Sequence, residues 1–262
     1  MHLSMSRRSA LVALGALFSV IRPAPAAAQT VDELVTRHVQ ARGGHEKLKS
    51  IQTIRMTRTV ATPFTSVEVV IYKKRPNLIR WEQTPKGQTT AIPRAVNATG
   101  AWDIAQGKVV MRPEPLAVEG REIDGDFDGL LVDWKEKGHT VALEGKEKVG
   151  TRDAYKLKVM TKGGTARDVY LDAETYLESQ IVGRVRLPQM DPKTKEFRYN
   201  DTVLVFSDWR EVNGVKFPFS VDEERTGGPI TQSFAIYTQK IEVNVPMEDA
   251  LFAPPAGAPT GK

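Results

Sequence analysis

The chain has 262 residues, no cysteine and a formal net charge of +5. The lack of cysteine excludes disulfide bonds, thiolate metal sites, cysteine catalysis and a lipid anchor on an N-terminal cysteine. Three arginines lie among residues 1–28, so removal of this segment would lower the net charge from +5 to +2. So small a positive excess gives no reason to expect nucleic acid as a ligand.

Residues 1–28 have the order of a secretory signal peptide. Arg7 and Arg8 form a charged start, residues 10–21 are apolar, and three alanines ending at Ala28 suit cleavage. The apolar stretch has about 12 residues, whereas a membrane-spanning helix needs about 20. We therefore predict export and cleavage near Ala28. The paired arginines match a twin-arginine signal in part, so both that route and general secretion stay open.

A helix is predicted at the start of the mature chain. Thr30 and Glu33 have the spacing of a capping box, and Gly43-Gly44 is typical of a helix end. Four residues then share one face at helical spacing: Leu34, Val35, His38 and Val39. On this face, His38 is interpreted as a partly buried helix residue and not as a catalyst.

From residue 51 onward the pattern changes to that of β-strands. β-Branched residues and period-two alternation predict strands at 51–57, 67–72, 78–83, 91–98, 140–144, 154–160, 166–171, 176–186, 202–209, 217–224 and 230–243. Short turns rich in glycine, asparagine and aspartate separate them. This indicates an antiparallel meander, because parallel strands would need long crossover connections.

One segment, 126–137, interrupts the strands with a helical pattern. It places four apolar residues along one side: Phe127, Leu130, Leu131 and Trp134. No linker divides the chain, so residues 29–252 are predicted to form a single domain, followed by a flexible tail at 253–262. The expected fold class is mainly β (α+β), with a strongly curved antiparallel sheet covered by a few helices. Its interior is either filled with side chains or open as a cavity.

The motifs of common enzymes are missing from the sequence. No serine lies in a Gly-x-Ser-x-Gly turn, and His45-Glu46 lacks the second histidine of a zinc-protease helix. Acidic pairs such as Asp172 with Glu174 have the residue types of a glycosidase but also those of a solvated turn. We predict no cofactor and no enzymatic activity, with an unrecognised hydrolase as the least favoured reading.

One acidic segment has a metal-binding appearance. Asp124, Asp126 and Asp128 alternate as in the first half of a calcium loop. The closing glutamate of such a loop would fall at Lys135, which is a cation. An acidic helix start, with carboxylates favoured near the positive end of the helix dipole, is the preferred interpretation, and calcium is the weaker alternative.

Four segments share their pattern with one protein family. Residues 170–177 read Tyr-Leu-Asp-Ala-Glu-Thr-Tyr-Leu, close to a Tyr-Leu-Asp-Pro-Glu-Thr hairpin, with Ala173 in the place of the proline. Further matching segments are 41–48, 206–218 and 244–252. Together they resemble the LolA/LolB-like outer-membrane lipoprotein-sorting proteins, and the resemblance covers most of the mature chain.

The resemblance implies an unclosed β-barrel wrapped around helices, with an apolar interior that shelters acyl chains in the periplasm. The implied partners are lipid or lipoprotein acyl chains, with inner- and outer-membrane transport components as further partners. Burial of each methylene is worth about 0.8 kcal/mol, so such an interior binds cargo without a catalytic motif. The cargo is either lipoproteins or another lipid.

If the interior is a cavity, the apolar residues of the interrupting segment are its predicted lid. Phe127, Leu130 and Trp134 form this lid, and Trp81 and Phe206 line the opposite side. The alternative is a non-catalytic interaction or scaffold protein of the cell envelope, in which these aromatic residues fill the core.

Overall fold

The structure, a computed structural model, describes residues 29–227 and 231–255. In this part of the chain 13 strands form one sheet. They are β1 (Thr53–Ala61), β2 (Ser66–Lys74), β3 (Leu78–Pro85), β4 (Ile92–Asn97), β5 (Gly100–Ala105), β6 (Lys108–Met111), β7 (Thr140–Val149), β8 (Arg152–Met160), β9 (Ala166–Asp172), β10 (Glu178–Met190), β11 (Phe197–Val212), β12 (Val215–Thr226) and β13 (Gln232–Val243).

The strand order is β6-β5-β4-β3-β2-β1-β13-β12-β11-β10-β9-β8-β7, and the paired strands are antiparallel. The first and last strands pair in the middle of the sheet, and consecutive strands β6 and β7 form its two edges. The predicted meander and the predicted unclosed barrel are thus confirmed. The connection between β6 and β7 has to run from one edge of the sheet to the other.

Short helices accompany the sheet: α1 (Val31–Ala41), α2 (His45–Ser50) and α3 (Glu114–Glu119), which continues into a π-helical turn (Gly120–Asp124). A capping box starts α1 as predicted, because Thr30 Oγ1 accepts from the Glu33 amide at 3.2 Å and the Glu33 carboxylate accepts from the Thr30 amide at 2.9 Å. Among the described residues, no helix has the length and apolar character needed to cross a bilayer.

The helix predicted over 126–137 is wrong, because this segment forms a series of turns. Gly129 and Asp133 have φ values of 91° and 53°, which a right-handed helix does not accommodate. Lys137 folds back to donate to both carboxylate oxygens of Asp126 at 2.7 and 2.8 Å. The apolar spacing correctly indicated burial of Leu130 and Leu131, but turns achieve that burial instead of a helix.

Two hydrophobic clusters fill the base of the curved sheet. In one, Ala117 and Phe127 from the β6–β7 connection pack against strands β1 to β5 and β12. In the other, Leu34 of α1 and Leu131 of the connection pack against strands β8 and β9. The helices and the connection therefore lie on the concave side and close its base.

The outer face is covered in one place by the C-terminal segment. A 3-10 turn (Asp249–Phe252) packs against β3 to β5, where Trp102 Nε1 donates to the carbonyl oxygen of Phe252 at 3.0 Å. Arg80 donates to the carbonyl of Leu251 at 2.9 Å. Arg80 is next to the inward-facing Ile79 on β3 and therefore points to the other face of the sheet. The C-terminal segment, which contacts Arg80, thus lies on the outer face.

Candidate functional site on the concave face

Strand register identifies the side chains that point into the concave side. Residues directly opposite on antiparallel strands share a face. One inward row runs Met56, Ile71, Trp81 and Arg94 across β1 to β4. The next inward row contains Lys73, which stands beside the buried residues of the base. Charged groups and core residues therefore occupy the same face of the sheet.

The helices cover only part of this face. At the base the inward side chains, such as Ile54 and Ile79, are fully buried. Towards the other ends of the strands the inward side chains are half-buried and have no helix above them. We call this region the open half, and it is defined by Arg58, Val60, Val67, Trp81, Arg94, Phe206, Phe234 and Ile236, together with Lys73, which lies in the row of Ile54 and Ile79 at the border with the base. It combines apolar side chains with three cations.

The three cations of the open half are desolvated. Burial lowers the pKa of Arg58 to about 10 and that of Lys73 to about 8. Burial also lowers the pKa of Arg94, although its side chain is exposed to solvent. Arg94 lies in the inward row of Met56, Ile71 and Trp81, so it stands on the concave side and is nevertheless reached by solvent.

A carboxylate faces these cations. Asp124, the last residue of the π-helical turn, is exposed to solvent, and its pKa is raised because desolvation outweighs the attraction of Arg94 and Lys73. The π-helical turn contacts β3 and β4, which places Asp124 on the concave side. Arg94 also lies over the ring of Trp81, at 4.5 Å from its centroid.

The five residues predicted to line a cavity are divided between two places. Trp81 and Phe206 are half-buried and belong to the open half. Phe127 and Leu130 are buried in the base, with exposures of 8% and 5%, and Trp134 packs at the edge of the same base. Contact of all five with an acyl chain stays a prediction.

Sequence reasoning missed Arg58, Lys73 and Arg94. Their signal was available in the alternation of the strands, because Arg58 follows Met56, and Lys73 follows Ile71, at the period-two spacing of the buried face. A cation at an inward position breaks the rule that such positions are apolar. Such a break often marks a binding or catalytic site.

The acidic segment considered for calcium is held by the protein's own cations. Arg75 donates to both oxygens of Asp128 at 2.9 and 2.6 Å, and Lys49 donates to the same carboxylate at 2.5 Å. Lys137 binds Asp126 in the same manner. A calcium ion would have to displace these pairs. Within residues 29–227 and 231–255, no three acidic, histidine or cysteine side chains are grouped as metal ligands.

The ion pairs determine the protonation of Asp128. Burial alone raises the pKa of this carboxyl group, but the hydrogen bonds and charges of Arg75 and Lys49 outweigh burial and lower it to about 2. Arg42 additionally donates to the carbonyl oxygen of Asp128 at 2.6 Å. Asp128 therefore fastens the β6–β7 connection to α1, α2 and the β2–β3 hairpin.

Two further cavities are present among the described residues. One, of about 700 Å³, is lined by Val203, Val205 and Ala235, which alternate with inward-facing residues and so belong to the outer face, and it shares Phe234 with the open half. Carboxylates of Asp222 and Glu224 border it. The other, of about 360 Å³, lies beside the β6–β7 connection. Its lining includes the cations Arg121, Lys137 and Lys162.

Comparison with known proteins identifies the fold. No protein-family model and no curated protein matches the sequence. A solved LolA superfamily protein from Nitrosomonas europaea superimposes with a TM-score of 0.56 and 10% identity, covering 87% of this chain and 99% of that protein. A domain assigned to an outer membrane lipoprotein-sorting protein from Vibrio parahaemolyticus gives a TM-score of 0.52 and 12% identity, with 85% and 97% coverage. The chain therefore has the LolA-like fold that its sequence motifs predicted.

Proposed function

We propose that this protein is a periplasmic carrier that binds lipid, or the acyl chains of lipoproteins, on the open half and moves them toward the outer membrane. The observation that carries the proposal is the half-buried apolar surface of Val60, Val67, Phe206 and Ile236, which faces inward beyond the reach of the helices. Sheet faces of this kind are normally covered in a folded domain.

Burial of an acyl chain against this surface supplies the binding energy. Ten methylenes removed from water gain roughly 8 kcal/mol before the cost of association is subtracted. The carrier role requires no catalytic step. The fold is consistent with it, since the Vibrio parahaemolyticus domain that shares the fold is assigned to a lipoprotein-sorting protein. Export through the predicted signal peptide, which lies outside the described residues, would bring the protein to the periplasm.

The first test is native mass spectrometry of the protein purified from its own envelope, followed by organic extraction of the bound material. A carrier is expected to retain lipid and to bind a fluorescent fatty acid after delipidation. Absence of lipid together with failure to bind the fatty acid would reject the proposal.

A matched pair of variants locates the binding surface. Val67→Trp places a large side chain in the open half, whereas Glu68→Trp places the same side chain on the outer face of the same strand. We expect the first variant to lose most fatty acid binding and the second to keep it. Equal binding by the two variants would place the cargo elsewhere.

The second candidate function is a non-catalytic interaction protein of the cell envelope. The outer-face cavity of about 700 Å³, with its apolar floor and acidic border, favours it. In that case the inward side chains of the open half would pack against one another in solution and fill the interior. The protein would then bind no fatty acid, while substitutions at Val205 would weaken capture of its envelope partner.

A further inference from the structure

The concave face contains charged side chains of two kinds. Several are paired within the protein: Arg167 binds Glu119 at 3.1 Å, Arg225 binds Glu223 at 2.6 Å, and Arg112 binds Asp103. Among the described residues, no acidic side chain forms an ion pair with Arg58, Lys73 or Arg94. The remaining segments, 1–28, 228–230 and 256–262, contain no aspartate or glutamate.

The individual contacts of the three cations are few. Arg58 donates through Nη2 to the Met56 sulfur at 3.3 Å, and its Nε is buried without a partner. Lys73 donates to the backbone carbonyl of Asp126 at 2.8 Å. Arg94 contacts the face of Trp81. None of these contacts supplies a negative charge.

Two of the three cations act on each other. Desolvation lowers the pKa of Lys73 most, the charges of Asp126 and Asp124 oppose this effect, and the charge of Arg58 lowers the pKa further. Asp124 attracts both Lys73 and Arg94. Asp126 and Glu223, which also act on these cations, are paired with Lys137 and Arg225. Among the described residues, the three cations therefore share one unpaired carboxylate, that of Asp124. Such an excess of like charge is costly unless a counter-charge arrives from outside.

We propose that Arg58, Lys73 and Arg94 form a subsite for one anionic head group, so that the cargo is an amphiphile with a carboxylate or phosphate attached to its acyl chain. This inference rests on the proposed carrier function and narrows its cargo. Val60, Val67 and the other apolar residues of the open half would then receive the chain beside the head group. A lipoprotein anchor, whose acyl chains end in neutral esters and amides, lacks the matching charge.

The test compares two probes with the same acyl chain, the anionic cis-parinaric acid and its neutral methyl ester, by fluorescence titration of the delipidated full chain. Wild-type protein should bind the acid at least about tenfold more tightly than the ester, as expected for a charge-assisted hydrogen bond. Arg58→Gln and Arg94→Gln should each remove most of that difference while leaving ester binding unchanged. Arg55→Gln, on the outer face of β1, is the matched control and should alter neither titration.

The outcomes separate this inference from the carrier function. Equal affinity of wild-type protein for acid and ester overturns the anionic subsite but leaves the carrier intact, whereas binding of neither probe removes both. Palmitate and a lysophospholipid should displace the acid, and excess inorganic phosphate should not. Displacement by phosphate as strong as that by palmitate would overturn the lipid assignment. Circular dichroism checks folding, and the exposed Arg94 provides a variant should Arg58→Gln fail to fold.

Discussion

The base and the open half of the concave side both remove charges from water, and they treat them differently. At the base, the carboxylate of Asp128 is enclosed by Arg75 and Lys49, and that of Asp126 is paired with Lys137. In the open half, Arg58 and Lys73 are desolvated without an acidic partner among the described residues. Closed ion pairs link one segment to another, whereas we propose that the uncompensated charges bind an anionic ligand.

Removal of the Asp128 charge should have the largest effect on stability. Asp128→Asn leaves Arg75 and Lys49 without their counter-charge, and the free energy of unfolding should fall by about 3 kcal/mol. Asp208→Asn is the control, because Asp208 pairs with Arg210 on the exposed surface and the substitution should lower the free energy of unfolding much less. Urea denaturation measures both. Equal losses in the two variants would contradict the fastening role of Asp128.

Low pH should remove the stabilisation that the charged carboxylate of Asp128 provides. The pKa of Asp128 is about 2 in the folded chain, below the value of about 3.9 for an unfolded aspartate. A lowered pKa stabilises the fold above the unfolded value, and this stabilisation is lost as the pH falls from about 4 towards 2. It amounts to about 2 kcal/mol. Wild type and Asp128→Asn should therefore approach each other in stability in urea titrations as the pH falls from about 4 to about 2, whereas a constant gap would exclude this titration.

Removal of a charge from the open half should change the free energy of unfolding in the opposite direction. Arg58→Met replaces an uncompensated buried cation with an apolar side chain of similar length, and the free energy of unfolding should rise by about 1 kcal/mol. Arg75→Met, at the base, should lower it, because Asp128 loses a partner. A loss of stability in Arg58→Met comparable to that in Arg75→Met would show that Arg58 has a structural role.

A substitution at Trp134 tests where the boundary between the base and the open half lies. It has the smallest expected effect on stability. Trp134→Ala should weaken fatty acid binding more than it lowers the melting temperature, if Trp134 belongs to the lid predicted from the sequence. Trp102→Ala is the contrast, since Trp102 is buried on the outer face and should affect melting alone. The reverse result for Trp134 would assign it to the core.

Much of the fold was readable from the sequence because local signals and tertiary structure agree. Thr30 and Glu33 form the expected capping box, and the meander follows from short turns between strands. Strands β5 and β6 were missed, and β6 has only 4 residues, which is too short for its alternation to be visible. The helix was placed at 126–137 and not at α3 because apolar spacing reports burial, which turns also provide.

Less of the candidate site than of the fold could be predicted from the sequence. Trp81 and Phe206 were selected as large apolar residues, and the structure puts both in the open half. The cations beside them carry no motif, because they lie on separate strands, β1, β2 and β4, and come together only through the register of the sheet. Sequence spacing does not report which distant strands become neighbours.

Photo-crosslinking with a fatty acid that carries a diazirine near the end of its chain tests the central claim most directly. If acyl chains occupy the open half, mass spectrometry of the labelled peptides should find adducts at inward-facing residues such as Val67 and Phe206. Adducts at their outward-facing neighbours Glu68 and Val205, or in the outer-face cavity, would contradict the account.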